Sequence, residues 1–270
     1  MDISPGLTKL LSYASDGKPD APTLVLLHGV GTTSWMWRRL VADLAGELHV
    51  VSVDLPGHGA SAQTPWTSMA DTAFRVAEVV GQVAGGDRVH LVGLSLGGYV
   101  ALDLAAEHSD MVASALASGV NVMPFPRPRL MRAAGRAISP FLSTGVMLRA
   151  NARALGVPPE DFEGYATAAR SMAPGTFSAV GGELMDYSLP SIANRSTSRV
   201  LALAGGDEHT LILESLARIA AVFPYGVARV APGVGHAWNG QKPELFAATV
   251  RAHVAGDPLP EDLVSVPAAT

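Results

Sequence analysis

The chain's strongest constraint is a repeated alternation between short, wholly apolar runs and longer segments with helical spacing. Thr23 to Leu27, Val50 to Val53, Arg88 to Val92, Val112 to Ala117, Arg199 to Leu203 and Val227 to Val230 read as strands. Their apolar residues follow one another instead of alternating with polar ones, as in parallel strands covered on both faces. Between them, Trp35 to Leu44, Met69 to Val83, Leu96 to Ala106, Leu211 to Val222 and Glu244 to Val254 carry helical patterns. Such alternation predicts a doubly wound, mostly parallel α/β sheet, with ligands at the carboxyl ends of its strands. Leu10 to Tyr13 is a further candidate, an N-terminal edge strand.

The alternation stops between about Val122 and Leu189. This interval holds Pro-punctuated helical pieces and five of the nine methionines, at 123, 131, 147, 172 and 185. It reads as a helical insertion, too long for an ordinary connection. The expected organisation is a core of residues 1–121 and 190–256, an inserted helical unit at 122–189 and a tail at 257–270. Pro258, Pro260 and Pro267 predict that the tail frays.

Composition removes several function classes. A 270-residue chain with 48% hydrophobic and 16% charged residues can bury a large core. The net charge of −5 argues against nucleic-acid binding. With no cysteine, disulfides, thiolate metal sites and a thiol nucleophile are excluded. Mean hydropathy is +0.26, yet no apolar stretch is long enough to span a bilayer. Met1 to Pro5 carries neither the basic nor the apolar part of a secretory signal, so a cytoplasmic location is expected.

Chemistry concentrates at four strand ends. Gly93-Leu94-Ser95-Leu96-Gly97 joins a strand to a helix. Small residues there permit a sharp turn that lifts the Ser95 hydroxyl above the sheet, over a helix N-terminus with unpaired N–H groups. A serine hydroxyl needs a base within reach. His236, after Gly235 and the last strand, has the setting for one. His49, His90, His108 and His253 read as solvated or core side chains, and His58 as a local brace in Gly57-His58-Gly59. The base needs an orienting acid, and Asp207 or Glu208 beyond the strand ending near Leu203 supplies one. His209 beside them adds no metal site, because no further ligand recurs at a suitable spacing. His28-Gly29-Val30-Gly31 ends the first central strand. A loop there aims the Val30 N–H, with that of Leu96, at an oxyanion beside Ser95, and His28 reads as its brace.

In these residues the chain resembles the α/β-hydrolase superfamily, specifically its capped serine esterase and C–C hydrolase branch. The matches are Leu26 to Gly29, Asp54 to Ser61, Gly93 to Gly98 and Gly235-His236, in the order serine, acid, histidine. The resemblance implies a nucleophile elbow at Ser95, an oxyanion hole, a catalytic triad, and a cap inserted after the family's sixth strand. It favours Glu208 as the acid, three residues beyond Gly205, although Asp207 is the commoner residue type for that role. The short N-terminus leaves room for fewer strands than the family's eight.

The implied activity is hydrolysis of an ester, thioester, lactone or activated C–C bond in a small, largely apolar substrate, with no cofactor. A cofactor-free perhydrolase or haloperoxidase-like enzyme and a non-catalytic ligand receptor are the rival readings. Trp35, Trp238, Met123 and Phe125 are candidate pocket residues, the tryptophans being equally suited to core packing. Between Asn121 and Arg153 lie six arginines and no acid. They form either a solvated helix face or an attractor for an anionic substrate. No membrane partner is expected, and no oligomeric state follows from the sequence.

Overall fold

The computed structural model describes residues 10–266. The readings at Met1 to Pro5 and at Pro267 therefore lie outside the described residues. Eight strands form one sheet: β1 (Tyr13–Gly17), β2 (Thr23–Leu27), β3 (His49–Val53), β4 (Val89–Leu94), β5 (Val112–Ser118), β6 (Arg199–Gly205), β7 (Tyr225–Ala231) and β8 (Val264–Ser265). Their order is β1-β3-β2-β4-β5-β6-β7-β8. β1 and β8 pair antiparallel at the two edges, and every other pairing is parallel. β2, β3 and β4 are buried along their whole length, as their unbroken apolar runs require.

Three helices belong to the first half of the sheet: α1 (Arg38–Leu44), α2 (Met69–Val83) and α3 (Leu96–Glu107). Four make up the insertion: α4 (Pro128–Ile138), α5 (Gly145–Leu155), α6 (Phe162–Arg170) and α7 (Thr176–Leu184). The second half adds α8 (Thr210–Val222), α9 (Trp238–Gln241) and α10 (Pro243–Ala255). One apolar cluster joins the sheet to α2, α3 and α8 through Val76, Val80, Leu102 and Ile219. Another, with Leu40, Leu44, Phe246 and Val250, joins the opposite face to α1 and α10. The sheet is thus covered on both sides.

Several expected boundaries move. The N-terminal edge strand is Tyr13–Gly17 instead of Leu10 to Tyr13: Leu11 is buried in the core, and β1, exposed along its length, pairs antiparallel with the buried β3. α1 starts only after a short 3-10 turn, Ser34–Trp37. The sheet has its full eight strands, the last supplied by the tail. That tail is not frayed up to residue 266: Leu263 is buried, and Val264 pairs with Val230. Pro258 and Pro260 precede β8 and so remove no donor from its ladder.

Candidate active site

The turn between β4 and α3 places Ser95 at φ 52°, ψ −117°, one of two non-glycine residues with positive φ among those described. Such a conformation costs on the order of 1–2 kcal/mol and persists only where surrounding packing enforces it. Here the enforcement is steric. A Cβ on Gly93 would run into the Gly97 carbonyl, and one on Gly97 into the Leu27 carbonyl of β2. The Ser95 N–H donates to the Ser118 carbonyl at 2.8 Å, and the Gly97 N–H to the His28 carbonyl at 3.0 Å. The N–H groups of Leu96, at the start of α3, and Val30 have no acceptor among the described residues. No side-chain hydrogen bond occupies the half-buried Ser95 hydroxyl among the described residues, so it is free to turn.

The loop after β7 brings His236 over the end of β6. Its Nδ1 lies 2.9 Å from both carboxylate oxygens of Glu208. The Glu208 side chain is 4% exposed, whereas Asp207 is exposed and contributes its backbone N–H to the Val234 carbonyl. An ionised carboxylate only accepts, so Nδ1 carries the proton and Nε2 keeps its lone pair. His209 caps α8 by accepting the Leu211 N–H. Among the described residues no three His, Asp or Glu side chains gather as metal ligands would.

Two histidines hold the Gly29-Val30-Gly31 loop. His28 donates from Nδ1 to the Gly29 carbonyl (2.8 Å) and accepts the Leu55 N–H at Nε2 (2.9 Å). His58 donates to the Pro56 carbonyl and accepts the Gly31 N–H. Burial, reinforced by the His58 ring nearby, pushes His28 down to about 3, and burial lowers His58 too. Both are neutral, as rings that accept must be. Asp54 completes the brace by accepting the N–H groups of Ser34 and Ala60.

Ser95, His236 and Val30 border one cavity of about 1150 Å³, roofed by the insertion. Trp35 lines it. Trp238, Met123 and Phe125 do not, which corrects their assignment. Trp238 is fully buried in the core, stacked edge-on against Phe246 and donating its indole N–H to Ser118 Oγ at 2.9 Å. Met123 is held back beside β5, its carbonyl and N–H both engaged by the Asn121 side chain. Met147, Met172 and Phe177 supply apolar wall from the insertion instead.

Of the six arginines, only Arg136 reaches the cavity. Arg132 is paired with Asp186, and Arg149 lies over the Phe162 ring. Asp161 escaped the sequence reading. It is 5% exposed and ion-paired with Arg38 and Arg39 of α1, which ties α6 to the core. Its only signal is an acid at a helix start, a common surface feature. The Ala237 N–H, next to His236, donates to the Leu155 carbonyl at the end of α5. The insertion thus touches the histidine loop directly.

Comparison with known proteins agrees with this architecture. A model of the Alpha/beta hydrolase family matches residues 24–249. The chain is 26% identical over 254 residues to a putative carbamate hydrolase of Caulobacter sp., covering 88% of this chain and 92% of that one. It is 25% identical over 278 residues to an AB hydrolase superfamily protein of Gibberella zeae, covering 99% and 92%. An esterase from Rhodococcus sp. ECU1013 superposes with a TM-score of 0.72 at 25% identity, over 91% of this chain and 94% of the other. A thermophilic esterase from Thermogutta terrifontis shares the fold at TM-score 0.77 and 20% identity, over 91% and 93%. With the family match spanning most of the sheet, the insertion and the serine, acid and histidine positions, the chain belongs to the alpha/beta hydrolase family.

Proposed function

We propose that the protein is a serine hydrolase that cleaves a carboxylic ester of a small, largely apolar substrate through an acyl-enzyme. One observation carries this reading: a histidine oriented by a buried glutamate borders the same apolar cavity as a strained, unengaged serine. Ser95 Oγ attacks the ester carbonyl carbon while His236 Nε2 takes its proton. Glu208 stabilises the resulting imidazolium. The oxyanion that forms accepts from the free N–H groups of Val30 and Leu96, which stabilise charge as it develops. His236 then protonates the departing alcohol, and afterwards activates the water that releases the acid from Ser95. The insertion serves as a cap over the acyl pocket. Relatives named as esterases and a carbamate hydrolase support acyl transfer over other chemistries of the family.

The test is labelling with a fluorophosphonate together with turnover of p-nitrophenyl esters. Wild-type protein should do both, and Ser95→Ala neither, with an unchanged circular dichroism spectrum. Wild-type turnover by Ser95→Ala refutes the mechanism.

A further inference from the structure

The acyl pocket has an uneven distribution of charge. Its wall is apolar, with Trp35, Leu148, Met172 and Phe177 among its residues. Four arginines also border it, Arg38, Arg39, Arg136 and Arg170, against a single acidic residue, Asp161. Asp161 is already committed to Arg38 and Arg39. Arg136 and Arg170 are exposed, and neither has an ion-pair partner among the described residues. The chain as a whole carries −5, so this excess of cations runs against its overall balance. A cleft lined by one sign of charge with low-dielectric walls concentrates ligands of the opposite sign. Guanidinium groups are planar forks that match carboxylate and phosphate oxygens.

Size adds the second half of the argument. At about 1150 Å³ the cavity lies at or above the upper end of small-molecule sites, roughly 300–1000 Å³. A short acyl group such as acetate would leave most of that apolar wall in contact with water. An extended apolar chain would cover it.

We propose that the substrate is an ester of an extended apolar acid whose far end carries an anion, a carboxylate or a phosphate, received by Arg136 and Arg170 at the mouth. This rests on the serine-hydrolase reading above and names its substrate class. The reaction balances as simple hydrolysis: the acyl C–O bond breaks, and water supplies hydroxyl to the acid and a proton to the alcohol. The anion at the other end takes no part in bond-making. It orients the chain and raises capture.

The experiment compares the mono-p-nitrophenyl ester of nonanedioic acid with neutral p-nitrophenyl nonanoate, on wild type and on the Arg136→Gln, Arg170→Gln double variant. The wild type should prefer the anionic ester in kcat/KM, and the double variant should lose about tenfold of that preference. The neutral ester should lose far less kcat/KM than the anionic one, so the ratio of the two esters, not either rate alone, reads the anion. Raising salt from about 20 mM to about 500 mM should erode the wild-type preference in the same direction. An ester ended by phosphate, run in parallel, shows which anion is favoured; preference for either supports the proposal. If the neutral ester is turned over but the wild type shows no preference, or the double variant retains it, the anion assignment is overturned and the hydrolase reading stands. If Ser95-dependent turnover is absent for every ester, both fall.

Discussion

Gly119, one residue beyond β5, is the position where the smallest change should cost the most activity. Its φ is +68°, and a Cβ there would lie 2.6 Å from His236 Cε1, 2.9 Å from Nδ1 and 3.1 Å from Glu208 Oε1. Gly119→Ala therefore carries two penalties. The backbone penalty for alanine at positive φ is about 1–2 kcal/mol. The steric one forces the imidazole back by roughly 0.8 Å to recover an ordinary contact distance near 3.4 Å. A displacement of about 1 Å in a reacting group can cost on the order of 100-fold in rate.

Gly233 separates the two penalties, because it also has φ +68° but nothing within 4 Å of its added Cβ. Gly233→Ala should lower stability by about 1–2 kcal/mol and leave kcat within about threefold of wild type. Gly119→Ala should lower stability by at least as much and kcat by about 100-fold. Urea denaturation and p-nitrophenyl ester turnover on both variants read the two effects apart. A Gly119→Ala enzyme with wild-type kcat would refute the inference that this contact sets the position of the imidazole.

Three other outcomes follow from the same geometry. Glu208→Gln should lose about a thousandfold in kcat and Asp207→Asn almost nothing, since only Glu208 meets the His236 ring; steady-state kinetics of the pair decides. Asp161→Ala leaves Arg38 and Arg39, each about a third exposed, without their carboxylate. It should cost about 1–2 kcal/mol and speed proteolysis within the insertion, read by limited digestion. Burial, with Glu107 and Glu183 nearby and the Tyr187 hydroxyl opposing, pushes the Asp103 carboxyl up to about 7. The native state then holds a proton that the unfolded chain has released between about pH 4 and 7, so stability falls as pH rises through that window. Asp103→Asn should match wild type near pH 4 and exceed it by on the order of 3 kcal/mol at pH 8, measured by urea midpoints.

What was legible in the sequence is what neighbouring residues determine among themselves. Gly93 to Gly98 is contiguous, so its glycines, its serine and the flanking strand and helix can be read together. His28 and His58 stand in short glycine-bounded turns, and both act as the braces such turns suggest. Which carboxylate meets the histidine needed one more fact. Asp207 and Glu208 are adjacent, and only the turn after Gly205, closed by the Glu208 N–H on the Gly205 carbonyl, directs one carboxylate inward and leaves the other exposed.

Sequence proximity misled where the chain reverses. Trp238 is two residues from His236, yet at the start of α9 its indole enters the core on Phe246 and Ser118. The arginines show the same limit from another side. Arg129, Arg132 and Arg136 are three and four residues apart, so α4 gathers them along one face. Where that face leads depends on α7, because Asp186 just beyond it engages Arg132 and removes that cation from play. Arg136, in the last turn, is left at the cavity, which Arg170 also borders from the end of α6. Helical periodicity finds a stripe of charge within one element; the mouth it helps to build requires the packing of three, and no local pattern encodes that.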